Sequence, residues 1–216
     1  GLGRIGKLSL WNHVTKKHFS EVVVNLGRDV GSGLEDIAAA IEKDSTYGRL
    51  STYINGYKGG RVIENLNETA GTMTINGLPV TFLRTARNPK DIDWQGNQVR
   101  LVVDTTADAD EGRGAVRGHL QAGAEKVIVS APFKIKAKGL EMPDDSITMV
   151  MGINDDDFDP SRHSIVSAAS CTTTCLSYMI KPLIDHFGAD RLLSASMVTV
   201  HAATGSQEVL DRLPAA

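Results

Sequence analysis

Gly1-Leu2-Gly3-Arg4-Ile5-Gly6 has the spacing G-x-G-x-x-G, and its reading decides the fold. Glycines at these positions allow a tight turn, let backbone approach a pyrophosphate, and let a helix pack closely on a sheet. The helix N-terminus that follows offers N–H groups and the positive end of its dipole to the phosphates. Residues from Arg4 to about Lys17 read as that helix, with Ile5, Leu8 and Trp11 spaced for a buried stripe. Glu21 to Leu26 (EVVVNL) is a short β-branched run that reads as a buried strand. A helix and then a strand follow the motif at the distances of a dinucleotide site, which makes Gly1, Gly3 and Gly6 candidate cofactor-binding residues.

Further along the chain, helix and strand continue to alternate. Leu34 to Lys43 is helical, with Leu34, Ile37, Ala38 and Ile41 on one face. Thr72–Asn76 and Leu78–Arg84 flank Asn76-Gly77, the strongest short hairpin signal. Val99–Asp104 and Lys126–Ser130 read as strands with a helix around Ala115–Ala122 between them. Phe133 to Asp145 is polar and lysine-bearing and reads as an exposed loop. Val166–Ala169 leads into a long helix from near Cys171, whose stripe runs through Leu176, Met179, Ile180, Leu183, Ile184 and Phe187. Pro182 should bend that helix or mark its last turns, Gly188 suits its end, and Leu193–His201 alternates as a strand. The pattern predicts an α/β fold: a Rossmann-type doubly wound parallel sheet with a hairpin added at one side.

Composition excludes several classes. The 216 residues are 41% hydrophobic and 23% charged, and 23 basic against 26 acidic residues leave a net charge of −3. Such a mixed, near-neutral balance gives no reason to expect a nucleic-acid partner. No apolar run approaches the roughly 20 residues of a spanning helix, and no signal-peptide pattern opens the sequence. Two cysteines cannot make a disulfide framework and, at their spacing, argue against a zinc site. A reducing, cytoplasmic location and no membrane or metal are the expectations.

The end of the second strand of a dinucleotide site normally carries an acid that reads the ribose. Here that place is Asn25-Leu26-Gly27-Arg28, with no carboxylate. Arg28 could accommodate a 2′-phosphate, which predicts NADP use or dual specificity. Alternatively, Asn25 holds the ribose of NAD and Arg28 is a solvated charge.

Ser170-Cys171-Thr172-Thr173-Thr174-Cys175 is the most unusual string. Cys171 falls at a helix start, where unpaired N–H groups and the dipole lower a thiol pKa and favour the nucleophilic thiolate. Cys175, one turn on, reads as a small buried hydrophobe. His201 lies 30 residues beyond Cys171. About 16 helical residues carry the chain roughly 24 Å away, and about eight strand residues return it roughly 26 Å. His201 can thus reach the thiol, and a Cys–His pair suits covalent catalysis by a hydrolase or a dehydrogenase. The glycine motif favours cofactor-linked chemistry. The hydroxyls of Ser170, Thr172, Thr204 and Ser206 can bind phosphate, or serve as helix caps and turn residues.

Together these strings resemble the glyceraldehyde-3-phosphate dehydrogenase family. The resemblance runs through G-L-G-R-I-G at the start, D-S-T-Y-G-R at Asp44–Arg49, R-N-P at Arg87–Pro89 and S-A-P at Ser130–Pro132. It continues in M-G-I-N at Met151–Asn154, S-C-T-T-T-C at Ser170–Cys175 and H-A-A-T-G-S-Q at His201–Gln207. It implies that Cys171 attacks an aldehyde carbonyl while His201 takes the thiol proton. The thiohemiacetal passes hydride to NAD or NADP, and inorganic phosphate releases the resulting thioester as an acyl phosphate. The same resemblance places Arg4, Ile5, Arg87 and Thr106 at the cofactor, beside Asn25, Leu26 and Arg28. It sets Ser170, Cys171, Thr172 and Thr204 against the substrate or attacking phosphate, with Ser206 beside them.

The partners implied are a phosphorylated aldehyde, phosphate and other copies of the chain in a homotetramer. An erythrose 4-phosphate dehydrogenase-like paralogue and a non-catalytic binding homologue are the alternatives. Residues 1–169 are expected to form the dinucleotide-binding domain, without the strand that normally precedes the glycine motif. Residues 170–216 are expected to begin a truncated α+β catalytic domain, and the 216 residues by themselves are expected to aggregate or remain inactive. The chain departs from the family pattern at Leu26, at Thr105-Thr106-Ala107 and at Thr174, and the long segments Tyr53–Gly71 and Phe133–Asp145 suggest a divergent branch.

Overall fold

A computed structural model describes residues 1–84, 86–106, 115–133 and 142–202. They form two compact units, one containing Gly1–Val99 and the other Arg100–Ala202. The parallel strands are divided between two four-stranded sheets, one in each unit.

The first unit opens with α1 (Arg4–Lys16), β1 (Val22–Asn25) and α2 (Leu34–Glu42), followed by the short pair β2 (Lys43–Asp44) and β3 (Gly48–Arg49) and by α3 (Leu50–Asn55). Three strands complete it: β4 (Ile63–Asn67), β5 (Thr72–Ile75) and β6 (Leu78–Leu83). The sheet order is β1-β6-β5-β4, with β1 parallel to β6 and the rest antiparallel. The β5–β6 hairpin turns on Asn76 and Gly77, both at positive φ (51° and 76°), as a two-residue turn of this hand requires. Asn76 also donates its side-chain N–H to Val14 O (2.8 Å), which ties the hairpin to the last turn of α1.

The core of this unit packs Leu10, Trp11 and Val14 of α1 with Leu34, Ile37 and Ile41 of α2 against Met73, Ile75, Val80 and Phe82 of the sheet. The Trp11 indole N–H is satisfied by Ile41 O at 2.8 Å. The α1 face corrects the stripe expected from sequence: Lys7, Leu10, Trp11 and Val14 are buried, whereas Ile5 is 55% exposed. A helix buries the arc that its neighbour covers, and here the 7-10-11-14 arc meets α2 and the sheet.

The second unit contains β7 (Leu101–Asp104), α4 (Ala115–Gln121), β8 (Lys126–Val129), β9 (Ser146–Thr148), β10 (Ile165–Ser167) and α5 (Cys171–Phe187). Its sheet is wholly parallel, in the order β7-β8-β10-β9. The near-continuous apolar runs of these strands fit a parallel sheet, and Val127, Val129 and Ile165 are fully buried.

Two expectations fail here. Leu193–His201 forms no strand: among the described residues nothing pairs with it, and Leu193, Val198 and Val200 are exposed. Alternation alone does not make a strand without a ladder partner. The apolar stripe of α5 is also largely exposed, with no buried residue along the helix. The helix runs on past Pro182 to Phe187. Most of the predicted 133–145 loop lies outside the described residues. No helix among the described residues is long and apolar enough to cross a membrane.

Candidate active site

In the second unit, β10 ends in a tight turn that delivers the chain to α5. Ser167 donates its hydroxyl to Ala131 O (2.8 Å) and accepts from Ala169 N–H (3.1 Å). Ala169 itself sits at φ 58°, a left-handed conformation that costs a non-glycine residue about 1 kcal/mol or more. Ser170 is then the N-cap of α5: its Oγ accepts from Thr173 N–H at 3.0 Å and lies 2.8 Å from Thr173 Oγ1. Tyr178 fastens the second turn of the helix by donating to Met151 O.

Cys171 is the first helical residue, and its Sγ lies 3.2 Å from His201 Nε2. The other ring nitrogen, Nδ1, donates to Ala202 O at 2.7 Å. That bond fixes the neutral tautomer with its Nε2 lone pair facing the sulfur, ready to take the thiol proton. The electrostatics agree with the geometry. The hydrogen bond between Cys171 and His201 and a weaker contact with Thr172 hold the Cys171 thiol below its usual range. The Ala202 carbonyl and then the Cys171 sulfur raise His201. Each group favours the charged form of the other. Both residues are exposed. Cys175, expected to be buried, is exposed as well.

Thr106, in the same unit, follows β7. Its backbone N–H and hydroxyl both bond to Asp104 Oδ1, at 2.8 and 2.7 Å. Thr172 lies beside Cys171, with its Oγ1 4.0 Å from the sulfur. Thr204 and Ser206 lie outside the described residues.

The remaining candidate residues belong to the first unit. Gly3 is the N-cap of α1 without a side-chain cap, and the first turn holds no acid. A Cβ built on Gly1 or Gly3 meets no atom within 4 Å. Arg4 and Lys7 are drawn toward Asp44, with Arg4 Nε at 3.8 Å and Lys7 Nζ at 3.1 Å from Oδ2. Asp44 also accepts from Thr46 and Tyr47 N–H, both at 2.9 Å, so it anchors the β2–β3 turn beneath the start of α1.

At the carboxyl end of β1, Asn25 donates to Ala86 O (2.9 Å), while its buried Oδ1 finds no hydrogen-bond partner among the described residues. An unpaired buried acceptor is costly and marks the place of a missing donor. A ribose hydroxyl supplies one, so the residues present fit a dinucleotide. Leu26 turns its side chain into the core, 6% exposed, and offers only backbone. Arg28 and Arg87 are exposed, and a Cβ on Gly27 would stand 3.5 Å from Arg87 Cγ.

Sequence reading missed Asp104, His119 and the anchoring by Asp44. An Asp two residues before Thr at a strand end signals the Asx-type turn at Asp104, but nothing in the sequence shows that His119 reaches it.

In an α/β fold a glycine turn at a helix start suits a dinucleotide, and a close thiol–imidazole pair suits covalent chemistry. Residues 1–111 match the family model described as glyceraldehyde 3-phosphate dehydrogenase, NAD binding domain, and residues 170–215 match the C-terminal domain of the same family. The chain belongs to the glyceraldehyde-3-phosphate dehydrogenase family.

Among its relatives, glyceraldehyde-3-phosphate dehydrogenase 2 of Bacillus subtilis is 32% identical over 98% of this chain and 53% of its own length. Glyceraldehyde-3-phosphate dehydrogenase of Streptomyces coelicolor is 38% identical over 70% of this chain and 41% of its own. Glyceraldehyde-3-phosphate dehydrogenase 1 of a Nostoc species is 36% identical over 98% and 53%. The chain spans about half the length of the curated relatives it matches.

Proposed function

We propose that the whole protein is an NAD(P)-dependent, phosphorylating glyceraldehyde-3-phosphate dehydrogenase. The observation that carries this reading is the 3.2 Å approach of Cys171 Sγ to a His201 ring whose other nitrogen is held by Ala202 O.

Cys171, as thiolate, attacks the aldehyde carbon, and the proton its thiol gave to His201 Nε2 passes to the oxygen of the thiohemiacetal. His201 then removes that hydroxyl proton as the carbon–oxygen double bond re-forms, leaving a thioester on Cys171. The nicotinamide, when bound, supplies the acceptor for the hydride that leaves the same carbon. Inorganic phosphate attacks the thioester carbonyl, expels the Cys171 thiolate and departs as an acyl phosphate. Ser170, Thr172, Thr204 and Ser206 hold the substrate and the attacking phosphate through hydroxyls at the start of α5 and beyond His201.

Gly1, Gly3, Arg4, Ile5 and Gly6 receive the cofactor's pyrophosphate. Asn25 Oδ1 accepts a ribose hydroxyl, while Leu26 contributes backbone alone. Arg28, Arg87 and Thr106 complete the cofactor contacts. The same reading makes the protein a cytoplasmic homotetramer with no nucleic-acid or membrane partner.

Turnover of the full-length protein tests the reading. Glyceraldehyde 3-phosphate should be oxidised in a phosphate-dependent reaction, faster than erythrose 4-phosphate and other phosphorylated aldehydes. Hydrolysis to the free acid with no need for phosphate, or no turnover with either NAD or NADP, would exclude it.

A further inference from the structure

The second unit buries one titratable pair that the mechanism above does not use. Asp104, the last residue of β7, is 5% exposed, and His119 of α4 is 6% exposed. Asp104 Oδ2 lies 3.4 Å from His119 Nε2, and Asp104 Oδ1 receives both the N–H and the hydroxyl of Thr106. A carboxylate this deep is tolerated only when it is well bonded. Burial pushes its pKa up, but the bonds from His119 and Thr106 outweigh that, so Asp104 is held below the usual carboxylate range.

We infer that Asp104, steadied by His119, is a positioning residue that sets the hydrogen-bonding sense of Thr106 toward the cofactor. An ionised carboxylate only accepts hydrogen bonds. The Thr106 hydroxyl must therefore spend its one proton on Asp104, and its Oγ1 offers only lone pairs to a ligand. Thr106 then accepts from an O–H or N–H of the dinucleotide, a ribose hydroxyl or an amide. It cannot donate to a phosphate oxygen. His119 bonds to the second carboxylate oxygen and keeps Asp104 from turning away from Thr106. The inference rests on the cofactor reading of Thr106 proposed above.

The experiment is a fluorescence titration of NAD and NADP with the full-length protein, with thermal unfolding recorded for every variant. T106V removes the acceptor, D104N removes the ionised carboxylate, H119F removes the ring donor, and H119Q retains an N–H at that place. T106V should weaken binding about five- to tenfold, the size of one hydrogen bond. D104N should weaken it by a similar factor, and the D104N/T106V pair by little more than either change alone. H119F should weaken binding, H119Q should restore most of it, and NAD and NADP should suffer equally.

A D104N or H119F protein that loses thermal stability but binds both cofactors as wild type, while T106V binds weakly, overturns the positioning role and leaves the cofactor reading intact. Unchanged binding by T106V overturns the reading of Thr106 and this inference with it. A loss confined to NADP places Thr106 at the 2′-phosphate and contradicts the acceptor role. Should D104N fail to fold, the contrast between H119F and H119Q decides the same point.

Discussion

Asn25 and Arg28 carry the cofactor question at the scale of single residues. The Oδ1 of Asn25 is a buried acceptor with no partner among the described residues, and it stands where the family normally brings a ribose to the end of β1. The family's usual acid is replaced by Leu26, whose side chain is in the core and cannot repel a phosphate. Arg28 is exposed three residues beyond Asn25, free to swing toward a 2′-phosphate. R28A should lower kcat/KM for NADP about tenfold, the lower range for a charge-assisted hydrogen bond, and leave NAD within about twofold. An equal effect on both cofactors would return Arg28 to the solvated surface. The absence of an acid was legible in the sequence. The empty acceptor was not, because it depends on Asn25 turning its amide N–H to Ala86 O, a residue 61 positions away.

At the scale of elements, α1 is docked at its N-terminal end by charge as well as by its apolar arc. Lys7, 8% exposed, donates to Lys43 O at 2.7 Å and pairs with Asp44. Desolvation pushes Asp44 up, yet the bonds from Tyr47, Thr46 and Lys7 together hold it below the ordinary carboxylate value. A carboxylate with a lowered folded pKa stabilises the protein above its unfolded pKa, about 3.9, and that contribution fades as pH falls through the folded value. D44N should therefore cost about 3 kcal/mol in urea unfolding at neutral pH, since it leaves Lys7 without its counter-ion. The difference from wild type should shrink steadily below about pH 4. A pH-independent loss would mean that Asp44 acts by shape alone.

Elements were the most legible level. The Asn76-Gly77 turn, the alternation of strands with helices and the helix start at Cys171 follow from local chemistry that the chain carries within a few residues. Leu193–His201 shows where that stops: its alternation suits a strand, but a ladder needs a second chain segment, and local pattern cannot supply one.

For the whole molecule, the sequence alone led to the same family that the domain matches show, because motifs far apart in the chain fall in the family's order. The estimate that a helix out and a strand back would return His201 to Cys171 reached the right meeting through a partly wrong path. The helix forms and the return segment is irregular, yet the two side chains are in contact. The length of the return fixed the outcome more than its secondary structure did.

On the function proposed above, the contact between Cys171 and His201 activates the nucleophile. Alkylation of Cys171 by iodoacetamide in the full-length protein, followed across pH for wild type and H201N, tests it most directly. The lowered thiol predicts a reaction midpoint below the free-cysteine value of about 8.5, and H201N should move that midpoint back up. A Cys171 that titrates as an ordinary thiol, with the same profile after His201 is replaced, would contradict it.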